Sequence, residues 1–240
     1  MVDIGAARTV GRSDDKRFVE RVFDAEEMDA IRGAPHPDRE LWLRWAAKEA
    51  GFKAAAKMMG AAPPFAHRSF KVVWEVGRGP GIVCSPEDVR EDTRTGSVRY
   101  EGHDLAVRVT ERSGAVHAVA AWVRDAAYSK VHVWRTVAHV DDPEVWKGNA
   151  GTGRLSPKER EGVRSKESVA VRLGARAQLA SLLAVHEDRL EVVREITDSG
   201  RGPPYLLVDG AVAPVDLSLS HDGRWIAWAL WIDPAPAEVA

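Results

Sequence analysis

Four segments of this chain recur in the same order in its two halves, and a chain that contains itself twice folds as two similar units. "RSGAVHAVAAWV" (112–123) laid on "HDGRWIAWALWI" (221–232) puts Gly114 on Gly223, Ala118 on Ala227, Ala120 on Ala229 and Trp122 on Trp231. Upstream, "FKVVWEV" (70–76) resembles "LEVVREI" (190–196). "AAKEAGFKAA" (46–55) resembles "RSKESVAVRL" (164–173), with Lys48-Glu49 on Lys166-Glu167. Earlier still, "RVFDAEEMD" (21–29) resembles "GRLSPKERE" (153–161). Two repeats are expected, 1–125 and 126–240, joined near "RDAAYSK".

Each repeat reads as α+β: a long helix packed on a small antiparallel sheet, the two related by a pseudo-two-fold axis. A first strand over 1–5 precedes helices over 14–31 and 38–59, the latter ended by Gly60 and Pro63-Pro64. Strands are expected at 70–77, 97–110 and 115–124, with alternation suited to half-buried positions. The segment 77–96 reads as a turn-rich surface loop. The second repeat has its long helix over 157–186 and strands at 189–196, 204–208, 215–220 and 224–232.

A net charge of −2 over 240 residues gives no bulk field for nucleic acid or acidic lipid, so any basic site must be local. The single Cys84 excludes an intramolecular disulfide framework and a Cys-rich metal site. No stretch is apolar enough to cross a membrane, and the N-terminus has no apolar signal core; a cytoplasmic protein is expected.

Comparing the copies isolates a polar set. Asp3 lies on the first strand, and "VHV" puts His132 there in the second copy. Glu49 and Lys53 share a helix face at four-residue spacing, and the second copy has Val171 in place of Lys53. The second hairpin carries Ser220 and His221, where the first has Arg112 in the place of His221. One complementary set survives: Asp3, Glu49 and Lys53 from the first copy, Ser220 and His221 from the second. Two carboxylates suit Mg²⁺, which takes one or two protein carboxylates and fills its shell with water and phosphate. Lys53 can reach the same phosphate.

These residues resemble the 4'-phosphopantetheinyl transferase superfamily, nearest its holo-acyl-carrier-protein synthase branch. Asp3 matches the acid of the branch's Gly-x-Asp strand, with Met1 in the glycine's place. Arg17, Phe18, Arg21, Val22 and Phe23 match its first helix. Trp45, Lys48, Glu49, Ala50 and Lys53 match its Lys-Glu motif, and Ser218, Leu219, Ser220, His221, Ala227 and Ala229 match its Ser-His hairpin. The length resembles the fused, pseudo-dimeric form, whose single site lies between halves. Two departures stand out. The acidic motif precedes the Ser-His hairpin, the reverse of the usual fused order, and Gly5 stands where that form has a second acid.

The resemblance implies transfer of 4'-phosphopantetheine from coenzyme A to a serine of an acyl or peptidyl carrier protein, by a monomer with Mg²⁺ at Asp3 and Glu49. It makes Asp3, Glu49 and Lys53 catalytic, with Glu49 the general base, and assigns coenzyme A phosphates to Ser220 and His221, with Lys48 and Arg44 as further candidates. An acidic helical carrier should dock on the basic helix bearing Lys16, Arg17, Phe18 and Arg21. The alternative is a non-catalytic relative that binds coenzyme A or a carrier domain as a scaffold.

Overall fold

The computed structural model describes residues 1–60, 63–64, 66–75, 81–84, 92–122, 130–146, 155–197 and 200–232. The chain divides into two compact units, Met1–His132 and Val133–Ala240. The junction expected at 125/126 lies outside the described residues, as does most of the 77–96 loop.

The first unit runs β1 (Val2–Asp3), α1 (Lys16–Val22), α2 (Ala25–Arg32), α3 (Pro37–Met59), β2 (Lys71–Trp74), β3 (Gly81–Cys84), β4 (Asp92–Tyr100), β5 (His103–Arg112) and β6 (Ala115–Ala121). Its antiparallel sheet has the order β1-β6-β5-β4-β2. The second unit's sheet opens with β7 (Lys130–His139); α4 (Pro143–Trp146), α5 (Pro157–Glu161), α6 (Lys166–Leu183), β8 (Leu190–Thr197), β9 (Gly200–Val208), β10 (Ala211–Asp222) and β11 (Trp225–Ile232) follow. There the strand order is β7-β11-β10-β9-β8. Matched by chain position, the two orders are the same, so the protein is an α+β tandem repeat. In each unit the long helix covers one sheet face: Leu43, Ala47 and Ala50 pack with Val98, Val107 and Val109, and Val171, Ala175 and Leu179 with Leu217, Ile226 and Trp228.

The helices expected at 14–31 and 157–186 are each broken. Asp24 caps α2 and Glu27 bonds back to the Asp24 amide; Ser156 and Glu159 do the same for α5, and Ser165 caps α6. These oxygens satisfy amides that a continuous helix would bond to carbonyls, so each cap forces a new start. The strand expected at 97–110 is likewise two, turned at Glu101-Gly102, where both residues hold positive φ.

The capping-box glutamates are also the anchors of each core. Glu27 accepts the Val72 amide (3.0 Å) and the Lys48 ammonium (2.7 Å), and Lys48 reaches the Phe70 and His67 carbonyls. Glu159 accepts the Val192 amide (2.9 Å) and Arg176 (3.0 Å), and Arg176 reaches the Glu187 carbonyl. This makes Lys48 the counterpart of Arg176. Lys166-Glu167, expected to match Lys48-Glu49, instead open α6. On that register Glu49 corresponds to Ala177 and Lys53 to Ser181, rather than Lys53 to Val171.

The hairpins correct a second match. The two-residue turns are Ser113-Gly114 and Gly223-Arg224, because Arg112 pairs with Ala115 and Asp222 with Trp225. Gly114 therefore corresponds to Arg224, one place from the expected Gly223, and a one-residue slip exchanges the two faces of a strand. The counterpart of His221 is Glu111, not Arg112, and that of Ser220 is Thr110. Just past β1 and β7, the Ile4 amide bonds to the Gly114 carbonyl and the Val140 amide to that of Arg224. Asp3 thus corresponds to His139 rather than to His132, whose side chain lies outside the described residues.

Breaking either buried ion pair leaves a carboxylate without its cation. Lys48→Met and Arg176→Met should each lower unfolding free energy by roughly 3–5 kcal/mol, read as the shift in urea midpoint; a change below about 1 kcal/mol would show the pair to be dispensable.

Candidate functional site

Glu49 and Lys53 lie one turn apart on the 23-residue α3, Glu49 near its middle. Burial raises the Glu49 carboxyl above the usual range, against the opposing pull of Lys53 and of the Met1 amine. The amine's influence puts the start of β1 and this turn of α3 within each other's field. Strand alternation sends Val2 into the core beneath α3 and Asp3, also buried, to the other side. β1 is the outer strand of its sheet, so no further strand of that sheet lies between its far side and α3. Asp3 Oδ1 accepts the Gly5 amide at 3.1 Å, which fixes its side chain as the strand turns away.

Among the described residues no group of three or more His, Cys, Asp or Glu side chains is placed to hold a metal ion. Carboxylates are the donor type that Mg²⁺ takes, one or two from the protein with water and phosphate for the rest of its shell. A buried carboxylate held unfavourably as an anion is also one that a cation would stabilise.

Arg44 and Lys48 do not belong to this set. Lys48 is completely buried and bound to Glu27 and two carbonyls. Arg44 is buried against Glu40 (2.8 Å) and the Val72 carbonyl (3.2 Å). Glu40 also takes Trp74 and Arg94, so Arg44 helps fasten α3 to β2 and β4. Both cations are engaged in these contacts within the first unit.

On α1, Lys16, Arg17 and Arg21 are exposed. Phe18 lies 5.7 Å from Trp45 and 5.9 Å from Trp42, with the guanidiniums of Arg12 (5.6 Å) and Arg21 (6.0 Å) over its ring. An aromatic patch rimmed by cations results, and Trp45 lies one turn before Glu49.

In the second unit, Ser220 is half-buried on β10 opposite Ala227. His221 is exposed, with Nε2 3.4 Å from Ser168 Oγ at the start of α6. Glu167, beside it, is held below the usual carboxyl range by its own backbone amide and Ser165, and also by His221 and Lys166. The sequence comparison missed Glu167 and Ser168 as neighbours of His221 because it matched Glu167 to Glu49. The available signal was Ser165, a helix-capping residue two places earlier.

Residues 2–110 match the family model of the 4'-phosphopantetheinyl transferase superfamily. Over those residues the chain is similar to that superfamily. The match spans Asp3, α1, the Lys-Glu helix and its sheet as far as β5, and it points to a transferase of the phosphopantetheinyl type. The comparison with curated proteins gave no match, and neither did the comparison with solved structures.

The raised Glu49 carboxyl has a pH signature. Its protonated form is favoured in the fold, so its contribution to stability is complete at acid pH and drains away as pH rises through the folded-state value. Glu49→Gln should remove that component. The melting-temperature difference, mutant minus wild type, should grow from pH 4 toward neutrality; a pH-independent difference would show Glu49 to be solvated.

Proposed function

We propose that the chain transfers 4'-phosphopantetheine from coenzyme A to a carrier-protein serine, in the manner of the holo-acyl-carrier-protein synthase branch. The observation that carries this reading is the superfamily match over residues 2–110, which contains Asp3, Glu49 and Lys53. The serine oxygen attacks the β-phosphorus of coenzyme A, the bond from that phosphorus to the bridging oxygen breaks, and 3',5'-ADP leaves. Glu49 takes the serine proton, a role suited to a carboxyl whose burial raises its proton affinity. Lys53 stabilises charge gathering on the diphosphate. Asp3 and Glu49 would hold Mg²⁺, whose chemistry is to neutralise the diphosphate and orient it for in-line displacement. In the second unit, Ser220 and His221 offer a hydroxyl and an imidazole suited to a nucleotide phosphate.

The carrier docks on α1, its acidic surface against Lys16, Arg17 and Arg21 and an apolar side chain against Phe18. The sequence favours one rival: Gly5, in place of a second acid, suits a scaffold that binds coenzyme A without transfer. No helix among the described residues is long and apolar enough to cross a membrane.

Incubation with coenzyme A, Mg²⁺ and a panel of apo-carrier proteins separates the two. Intact mass should show the phosphopantetheine increment on one or more carriers; coenzyme A binding without any increment would establish the scaffold instead. Glu49→Gln should abolish the increment. Arg17→Glu combined with Arg21→Glu should raise KM for the carrier at least fivefold, roughly 1 kcal/mol, and leave KM for coenzyme A unchanged. Equal change in both would remove α1 as the docking face.

A further inference from the structure

The two units place groups of opposite charge type at corresponding positions of the long helix and the hairpin. In the first, Arg39 near the start of α3 pairs with Glu111 on β5 at 2.5 Å. The helix register set by Lys48 and Arg176 makes Glu167 the counterpart of Arg39. The hairpin register makes His221 the counterpart of Glu111. Glu167 and His221 interact electrostatically at the start of α6, and Ser168 Oγ lies 3.4 Å from His221 Nε2. The first unit thus has its cation on the helix and its anion on the strand; the second has the anion on the helix and the cation on the strand. In the first unit this place holds an ion pair; in the second it holds a carboxylate, a hydroxyl and an exposed ring that can bind phosphate.

We propose that Glu167 and Ser168 are positioning residues for His221, holding its imidazole as an oriented cation toward a ligand phosphate. The proposal rests on the reading of His221 as a coenzyme A contact. Ser168 sets the ring through Nε2, and Ser165, which caps α6 and accepts the Ser168 amide at 3.2 Å, fixes Ser168 in turn. Glu167 supplies the counter-charge. Its lowered carboxyl keeps it ionised across the physiological range. The other charges around this hairpin tip are Lys166, bound to Asp141 beside His139, and Asp222 and Arg224 on the hairpin itself. A histidine changes charge near neutrality, and Glu167 is the anion that faces this one when it is protonated.

The test has two parts. The His221 imidazole is titrated by NMR in wild type, Glu167→Gln and Ser168→Ala, with no ligand present. Its midpoint should fall in Glu167→Gln, and its ring tautomer should change in Ser168→Ala. Identical titrations and tautomers in all three would overturn the proposal whatever the protein binds. Calorimetry with coenzyme A is then run from pH 6 to pH 8.5. Wild type should hold its affinity to higher pH than Glu167→Gln, with a two- to fivefold difference at pH 7.5, the range of about 0.4–1 kcal/mol typical of exposed ion pairs. Parallel pH profiles would also overturn it. Failure of wild type to bind coenzyme A at any pH would instead remove the functional reading on which it rests, and the NMR result would still decide the pairing.

Discussion

A buried carboxylate holds each unit together. Glu27 closes the cap of α2, accepts the Val72 amide of β2 and neutralises Lys48 from α3. One side chain therefore ties a helix start, a sheet edge and the main helix at a single point. Glu159 repeats the arrangement with Arg176. Desolvating such ions is costly, and the geometry is tolerable only because nearly every donor and acceptor is matched. The rest follows from this anchor. It sets the roll of α3, which puts Lys48 inward and leaves Glu49 within the field of the Met1 amine.

The duplication was legible in sequence, and so were the α+β class and the capping segments. "FDAEEM" and "LSPKER" were matched in the register the structure shows, because a capping box fixes the spacing of two polar residues. Two other matches failed for physical reasons. The hairpin match aligned glycine with glycine, but the turns place Gly114 and Gly223 at different positions, and Ser113 takes positive φ without being glycine. The helix match followed the dipeptide Lys-Glu. That pattern does not distinguish an inward lysine neutralised by Glu27 from an exposed Lys166 at a helix start.

The candidate site was legible to the same degree. Glu49 and Lys53 stand out by spacing, and the structure adds the burial that makes Glu49 unusual. Arg44 and Lys48 share their motif, yet helix rotation sends them inward, something a motif alone does not express. Ser165 marks the start of α6 in sequence, but only the approach of β10 to that start links Glu167 and Ser168 to His221.

The charge reversal between Arg39–Glu111 and Glu167–His221 also bears on how the halves could change from here. Converting the first pair to the second requires two substitutions. Changing Glu111 to His first would set a potential cation against Arg39; changing Arg39 to Glu first would set two carboxylates face to face. Either intermediate carries like charges at a contact that both units keep as an attraction. A stepwise return to two equivalent halves therefore passes through an intermediate with like charges facing each other. Once fixed, the asymmetry acts as a ratchet on the evolution of the chain.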